Sequence, residues 1–315
     1  MDAPFPVSRC RAVAAGFTDR ELHGPKWRRV HRGAYIQAKQ TEGLCLEERH
    51  LVLTRAVAAG ASHEAVVSHV SASVAHGLTH WNVPMGQVHL TRDRSTGGRV
   101  TRRVTVHATR IEPDEVVRID GLRVTSAART VIDLARTVPF EQAVVIGDSA
   151  LRLGKTTRAE LSGQLARAAG RPGAPAARRV VEFLDGRSES AGESRSRVVL
   201  DVAGLPRPEP QAVLESPSGR FIGRVDFLFP ALGVIGEFDG LMKYGAALRG
   251  SRTAEEVVVA EKAREDELRA FGWLVVRWTW SDLDTPAPWL GRLRRAATIG
   301  NPAHLLGTWV PSERI

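Results

Sequence analysis

Two apolar stretches near the end of the chain are interrupted by acids. They are Gly223-Arg224-Val225-Asp226-Phe227-Leu228-Phe229-Pro230 and Val234-Ile235-Gly236-Glu237-Phe238-Asp239-Gly240. Asp and Glu are disfavoured in strands and costly to bury without a partner. Side chains two apart on a strand share a face, so Glu237 and Asp239 point the same way. If the two stretches pair as a hairpin, Asp226 sits beside them. Three carboxylates converging at a strand end repel each other unless a cation lies between them, and oxygen-rich Mg²⁺ sites are built in that way. A Mg²⁺ held there can activate water and stabilise charge on a phosphodiester. The competing reading of Asp239-Gly240 is an ordinary turn.

These acids need a scaffold, and residues 190–315 supply an α-β-β-β-α-β order. A helix over 191–203 ends at Gly204 and Pro206, and strands follow near 211–215, 220–228 and 232–239. A long charged helix spans 254–271 and stops at Gly272. The run Trp273-Leu274-Val275-Val276-Arg277-Trp278 suits a buried strand. Ser190-x-x-Glu193 reads as a capping box, which is one role for Glu193. Sign alternation over Glu261, Lys262, Arg264 and Glu265 reads as a solvated helix face. Trp273, Trp278 and Trp280 read as core and rim packing.

This block resembles the PD-(D/E)XK nuclease superfamily, and within it the branch related to very short patch repair endonucleases. The resemblance rests on Glu193, on Arg224-Val225-Asp226-Phe227, on Glu237-Phe238-Asp239-Gly240, and on the tail from Glu261 to Trp280. It implies a restriction-endonuclease-like fold in which Asp226 and Glu237 hold the metal and Glu193 supports the metal or the attacking water. The superfamily usually places Lys two residues after the strand acid, and here that position is Asp239. Lys243 or Lys262 would then orient the water.

The front of the chain carries the charge. Residues 1–185 hold 27 basic and 18 acidic residues, whereas 186–315 hold 17 of each, so the whole net charge of +9 lies in the first part. Lys and Arg are lopsided, at 5 and 39. A basic half argues for a polyanion partner. An apolar period through Val7, Ala12 and Val13 predicts a helix ending at Gly16, and Thr18 with Glu21 predicts a capped second helix. Trp27, Val30, Tyr35 and Ile36 around Arg32-Gly33 predict a hairpin. Helix, turn, helix and basic hairpin over 1–40 form the layout of a winged helix, which would place Arg28, Arg29, His31 and Arg32 on DNA phosphates.

Residues 41–185 read as a mixed α/β middle domain. Helices are expected over 45–59, 68–77, 126–136, 140–152, 157–169 and 175–185, with strands at 88–91, 104–107 and 116–119. The polar run 185–190 reads as the linker. Residues 16–36 and the segment from Ser71 to Ala150 resemble the AbiEi-type antitoxins of abortive-infection systems and related regulators. The matching pieces are Gly16-Phe17-Thr18, Arg29 to Tyr35, Ser71-Ala72-Ser73, His76-Gly77-Leu78, Val88 to Thr91, and Gly121 to Ala135. The resemblance implies DNA binding through the winged helix, and a cognate toxin as partner.

Several classes drop out. At 43% hydrophobic residues the chain can build ordinary cores. No stretch approaches 18 uninterrupted apolar residues, so no membrane helix is expected. The opening MDAPFPVSRCR has no apolar signal-peptide core, which points to a cytoplasmic protein. Cys10 and Cys45 form no pair at metal-ligand spacing. His69, His76 and His80 have neither cysteine nor acid at ligand spacing, so zinc is not expected. Gly154-Lys155-Thr156-Thr157 reads as a helix stop and a helix start rather than a phosphate loop. The leading expectation is an α+β protein that binds DNA and carries a Mg²⁺-dependent endonuclease domain. The alternative is a non-catalytic repressor or antitoxin of a type IV toxin–antitoxin system with a degenerate nuclease-like domain. A third reading makes the C-terminal block a toxin-binding module.

Overall fold

The computed structural model describes residues 3–240 and 254–312. Its contacts divide the chain into two compact units, Met1–Phe183 and Leu184–Ile315. The architecture is mixed α and β with three sheets.

The N-terminal unit opens with β1 (Val7–Ser8), α1 (Arg9–Ala14), α2 (Asp19–Leu22), β2 (Trp27–His31) and β3 (Ala34–Gln37). Val7 does not belong to the first helix, as its apolar spacing suggested. It pairs with Tyr35, adding a third strand in the order β1-β3-β2. Ser8 then caps α1. Thr18 and Glu21 form the expected capping box, although α2 is only four residues long. Ala12, Leu22 and Tyr35 close a small core beneath the hairpin, and Gly33 at φ 72° makes its tip.

Next come α3 (Leu46–Ala59), β4 (Val66–Val67), α4 (His69–Ala75), β5 (Val88–Arg92), β6 (Arg99–Val100), β7 (Val104–Ala108), β8 (Val116–Ile119) and β9 (Leu122–Thr125). Their six strands run in the order β6-β7-β5-β4-β9-β8. Val57, Val67, Ala72, Val88, Leu90 and Val124 pack where α3 and α4 meet this sheet. Four helices complete the unit: α5 (Ala127–Ala135), α6 (Phe140–Arg152), α7 (Arg158–Arg167) and α8 (Ala174–Phe183). Thr157 caps α7 through a capping box with Glu160, and Gly154 leaves α6 at φ 60°. That stretch is a helix junction, as its composition suggested.

The C-terminal unit runs α9 (Ala191–Val202), β10 (Glu209–Glu215), β11 (Phe221–Phe229), β12 (Val234–Asp239), α10 (Ala254–Ala270), β13 (Leu274–Thr279), α11 (Trp280–Asp284), α12 (Pro286–Ile299) and β14 (Thr308–Val310). The sheet order is β13-β12-β11-β10-β14, with β12 and β13 parallel and the other pairs antiparallel. Both faces are covered. One core holds Leu200, Phe227, Phe238, Trp278, Trp289 and Leu293 beneath α9 and α12. The other holds Leu214, Val225, Leu228, Ile235, Leu268 and Trp273 beneath α10. Fully burying one such large apolar side chain contributes about 1.5–3 kcal/mol.

The run 185–190 is not a loose linker. Arg187 is 5% exposed and pairs with Asp185 and Glu209, which fastens the segment to β10.

Candidate functional site

Two of the acids singled out in the sequence, Glu193 and Asp226, meet where α9 reaches the central strands. Ser190 caps α9 and donates to Glu193 Oε1 at 2.8 Å. The backbone N–H of Glu189 donates to Glu193 Oε2 at 2.8 Å. Ser190 is thus the N-cap, but the Glu193 carboxylate reaches the Glu189 N–H and the Ser190 hydroxyl rather than the Ser190 N–H, so the expected reciprocal capping box is not formed. Gln211 Nε2 donates to Glu193 Oε2 at 2.9 Å and reaches Asp226 Oδ1 at 3.4 Å. Asp226 Oδ2 accepts the backbone N–H of Phe238 at 2.9 Å. Strand β11 pairs with β12 at Phe227↔Gly236, so the register carries Asp226 to the position across from Glu237. Facing positions share a sheet face, as a joint site requires.

Two backbone features make this approach possible. Gly192 lies so close to the Phe238 ring that an added Cβ would come within 1.9 Å of it. Only glycine lets α9 settle this far onto β12. Gln211 has φ 56°, a left-handed conformation that costs a non-glycine residue about 1–3 kcal/mol. That turn lets its amide span Glu193 and Asp226.

Glu193, Asp226 and Glu237 are buried at 2%, 9% and 9% exposure. The Glu193 carboxyl is pushed up to about 7, first by burial and then by the neighbouring Asp226 charge. Glu237 Oε1 accepts from Arg264 Nη2 of α10 at 3.2 Å, and Arg264 Nη1 also donates to the Arg224 carbonyl at 3.1 Å. The α10 face is thus not uniformly solvated. Arg264 is half-buried against the acids, and Glu265 pairs with Arg277 and Arg269. Lys262 is exposed, and Asp239 is half-buried at the end of β12. Lys243 lies outside the described residues.

All the acidic donors are carboxylate oxygens, the hard donors that suit Mg²⁺. Burial first, and then the Asp226 charge, raise Glu193, and a cation would relieve the second of these, so the donor chemistry suits that ion. Among the described residues, however, three ligand atoms within 4.8 Å of one another occur at His69, His89 and His107 rather than among these acids. Burial is the largest influence on all three imidazoles. It holds His69 well below its ordinary 6.5, His89 at about 4 and His107 below 6.5.

In the hairpin of the N-terminal unit, Arg28, Arg29 and Arg32 are exposed, while His31 is half-buried. Burial, then Arg103 and Arg29, lower the His31 pKa, so it adds little positive charge near neutral pH. Arg103 Nη1 donates to the Val30 carbonyl at 2.7 Å, which adds a guanidinium from the neighbouring sheet to this surface.

Sequence reasoning missed Gln211, Arg264 and Arg103 as parts of these constellations. Gln211 follows a proline in an ordinary strand pattern, and Arg264 sits in an alternating charge run. Arg103 is more than seventy residues from the hairpin it touches. None carries a local signal. The nearest hint was that an all-acid cluster needs a cation of some kind.

No family model matches the chain. Two curated relatives, both from Mycobacterium tuberculosis, show distant homology over half of it. They are uncharacterized protein Rv2248 of strain H37Rv and uncharacterized protein MT2308 of strain CDC 1551. Each is 32% identical over 159 residues, covering 50% of this chain and 55% of the relative. The chain therefore spans about half the length of the curated relatives it matches. Among solved structures, the crystal structure of the RV2827C protein from Mycobacterium tuberculosis is similar with a TM-score of 0.38 and 15% identity, covering 62% of this chain and 76% of that one. No helix among the described residues is long and apolar enough to cross a membrane.

Proposed function

We propose that the N-terminal unit binds DNA and that the C-terminal unit hydrolyses DNA phosphodiesters with Mg²⁺. One observation carries the hydrolytic reading. Two buried acids from separate elements, Glu193 and Asp226, are held side by side through a strained Gln211, with Glu237 across from Asp226. Packing alone gains nothing from burying like charges together, and perturbed carboxylates of this kind cluster at functional sites.

In this reading Asp226 and Glu237 hold the ion, and Asp239 lies one step along the same strand face. When bound, Mg²⁺ supplies a lowered pKa for water and charge stabilisation on phosphate. The Glu193 carboxyl, at about 7, is poised to accept and return a proton near neutral pH. Gln211 keeps it beside Asp226. Arg264 balances Glu237 through Nη2, and the bond from its Nη1 to the Arg224 carbonyl holds it there. The winged-helix reading of residues 1–40 assigns DNA affinity to Arg28, Arg29 and Arg32, with Arg103 beside them.

A second reading is favoured by Asp239 at the usual lysine position and by the exposure of Lys262. It makes the protein a DNA-binding regulator of the antitoxin type whose nuclease-like unit does not cut.

The test uses purified full-length protein with supercoiled, single-stranded and mismatched DNA, in Mg²⁺, Mn²⁺ or EDTA, beside Asp226→Asn and Glu237→Gln. Metal-dependent cleavage lost in both variants supports hydrolysis. Cleavage that survives both variants, or no cleavage with any metal while DNA is still bound, overturns it; the latter result selects the regulator.

A further inference from the structure

The N-terminal unit holds a second cluster, and its origin is topological. Strands β5 and β7 run parallel with Thr91 opposite His107 and His89 opposite Thr105. His89 and His107 therefore stand on one sheet face, two positions apart, with His89 Nδ1 and His107 Nε2 at 3.0 Å. The third imidazole arrives from above. The chain leaves β4, bonds Ser68 N–H to the His89 carbonyl at 3.0 Å, and turns sharply into α4 at His69. His69 makes that turn at φ 50°, a left-handed conformation that is strained for a residue with a side chain. The turn folds its ring over the sheet, 3.7 Å from the His107 ring and 5.7 Å from the His89 ring, centre to centre.

The surroundings are those of a ligand-binding position. His69 Nδ1 lies 3.0 Å from Ser68 Oγ, which also accepts from Thr91 Oγ1 at 2.7 Å. A ring that donates Nδ1–H to such a partner keeps Nε2 as a free lone pair, the usual way a supporting hydrogen bond fixes a metal-binding tautomer. The three rings line a cavity of about 460 Å³ whose walls include Val83, Leu134 and Val138. Gln142 also lines it. Its Nε2 donates to the Asn82 carbonyl, while its buried Oε1 has no hydrogen-bond partner among the described residues. An apolar cavity with three imidazoles and one open acceptor on its wall is built for more than packing.

We propose that His69, His89 and His107 bind one divalent transition-metal ion of the Zn²⁺ class, leaving a position open to the cavity. One nitrogen from each ring already lies within 4.8 Å of the others. Tetrahedral ligation with Zn–N near 2.0–2.1 Å needs nitrogens about 3.3 Å apart, so the His89–His107 pair is close to its final spacing. Binding turns the His69 ring out of its stack. The ion takes the place of the proton between His89 Nδ1 and His107 Nε2, which moves to the far nitrogen of its own ring. Imidazole donors select Zn²⁺, Co²⁺, Ni²⁺ or Cu²⁺ over Mg²⁺, so this site and the carboxylates of the C-terminal unit call for different metals. Water or a small anion would fill the open position.

The experiment titrates untagged, chelator-stripped full-length protein with Co²⁺, reading its visible ligand-field bands, and then with Zn²⁺ in competition. The expected result is one equivalent per chain with bands of tetrahedral intensity, displaced by Zn²⁺. His89→Asn and His107→Asn should each weaken binding by more than the roughly 10–100-fold that even a supporting partner costs. His107→Cys keeps a ligand and should retain binding with a new thiolate charge-transfer band. Asp226→Asn should leave the bands unchanged. Wild-type protein that takes up no Co²⁺ overturns the proposal, whatever the variants do. Bands that persist in both Asn variants, or that vanish in Asp226→Asn, overturn it as well.

Discussion

Glu193 ties folding stability to pH in a way that can be isolated. Its folded carboxyl titrates at about 7 against an ordinary value of 4.5, because burial and then Asp226 disfavour its charge. The folded state therefore holds this proton more tightly than the unfolded chain does. Its contribution is fully present below pH 4.5 and is lost as pH rises through 7. Carrying a carboxyl over that interval corresponds to about 3 kcal/mol, which is a large share of an ordinary domain's stability. Glu193→Gln removes the titration. It also loses an acceptor for Ser190, Glu189 or Gln211, but that loss is constant with pH and leaves only an offset.

The assay is chemical denaturation of the full chain between pH 4 and pH 8, followed by tryptophan emission. Five of the seven tryptophans lie in the C-terminal unit, so the signal reports mainly on it. The stability of wild type minus variant should fall by about 3 kcal/mol across that range. Saturating Mg²⁺ should flatten the fall, because a cation between the acids favours the ionised form. A difference that is level with pH would refute the environment assigned to Glu193. A fall that Mg²⁺ leaves untouched would refute the cation site while sparing the burial argument.

Three further perturbations follow from the same structure. Arg29→Ala with Arg32→Ala should weaken binding to duplex DNA and lower the log–log salt slope by about 2, since each phosphate contact adds about 0.9; an unchanged slope places the DNA surface elsewhere. Gly192→Ala puts a methyl group into the Phe238 ring. It should cost about 1–3 kcal/mol of overpacking and return the Glu193 pKa toward 4.5 as α9 lifts away, read by the same denaturation series. In the N-terminal unit, Arg129 is 1% exposed and pairs with both Glu115 and Asp133. Arg129→Met removes the partner those two acids share, leaving Asp133 with Arg136 and Glu115 with Gln164 and Arg167, and should destabilise the unit by about 3 kcal/mol in chemical denaturation; an unchanged stability would contradict the pairing.

Local patterns carried much of this protein into its sequence. The capping boxes at Thr18 and Thr157 depend on two side chains three residues apart, and both form as read. Acids inside apolar strands marked Asp226 and Glu237, because burying an unpaired carboxylate is too costly to occur without a partner. The α-β-β-β-α-β order of the last block followed from period and from its glycine and proline stops.

Contacts between distant elements were settled only by the tertiary structure. Val7 has helical spacing, yet it extends to pair with Tyr35, because a strand bond to the hairpin outweighs a weak local preference. Gln211 looks like any strand residue until its left-handed turn sets it between Glu193 and Asp226. Arg264 reads as one charge in a solvated run until α10 is laid across the sheet beside Glu237. The histidines show the limit most plainly. Reading along the chain grouped His69 with His76 and His80 on one helix and found no metal site. The fold instead sets His69 against two strands that begin some twenty and thirty-five residues later in the chain. Periodicity records what one element buries, because burial repeats along that element. Which atoms of separate elements meet depends on strand register and on single backbone turns such as that at His69, and neither repeats.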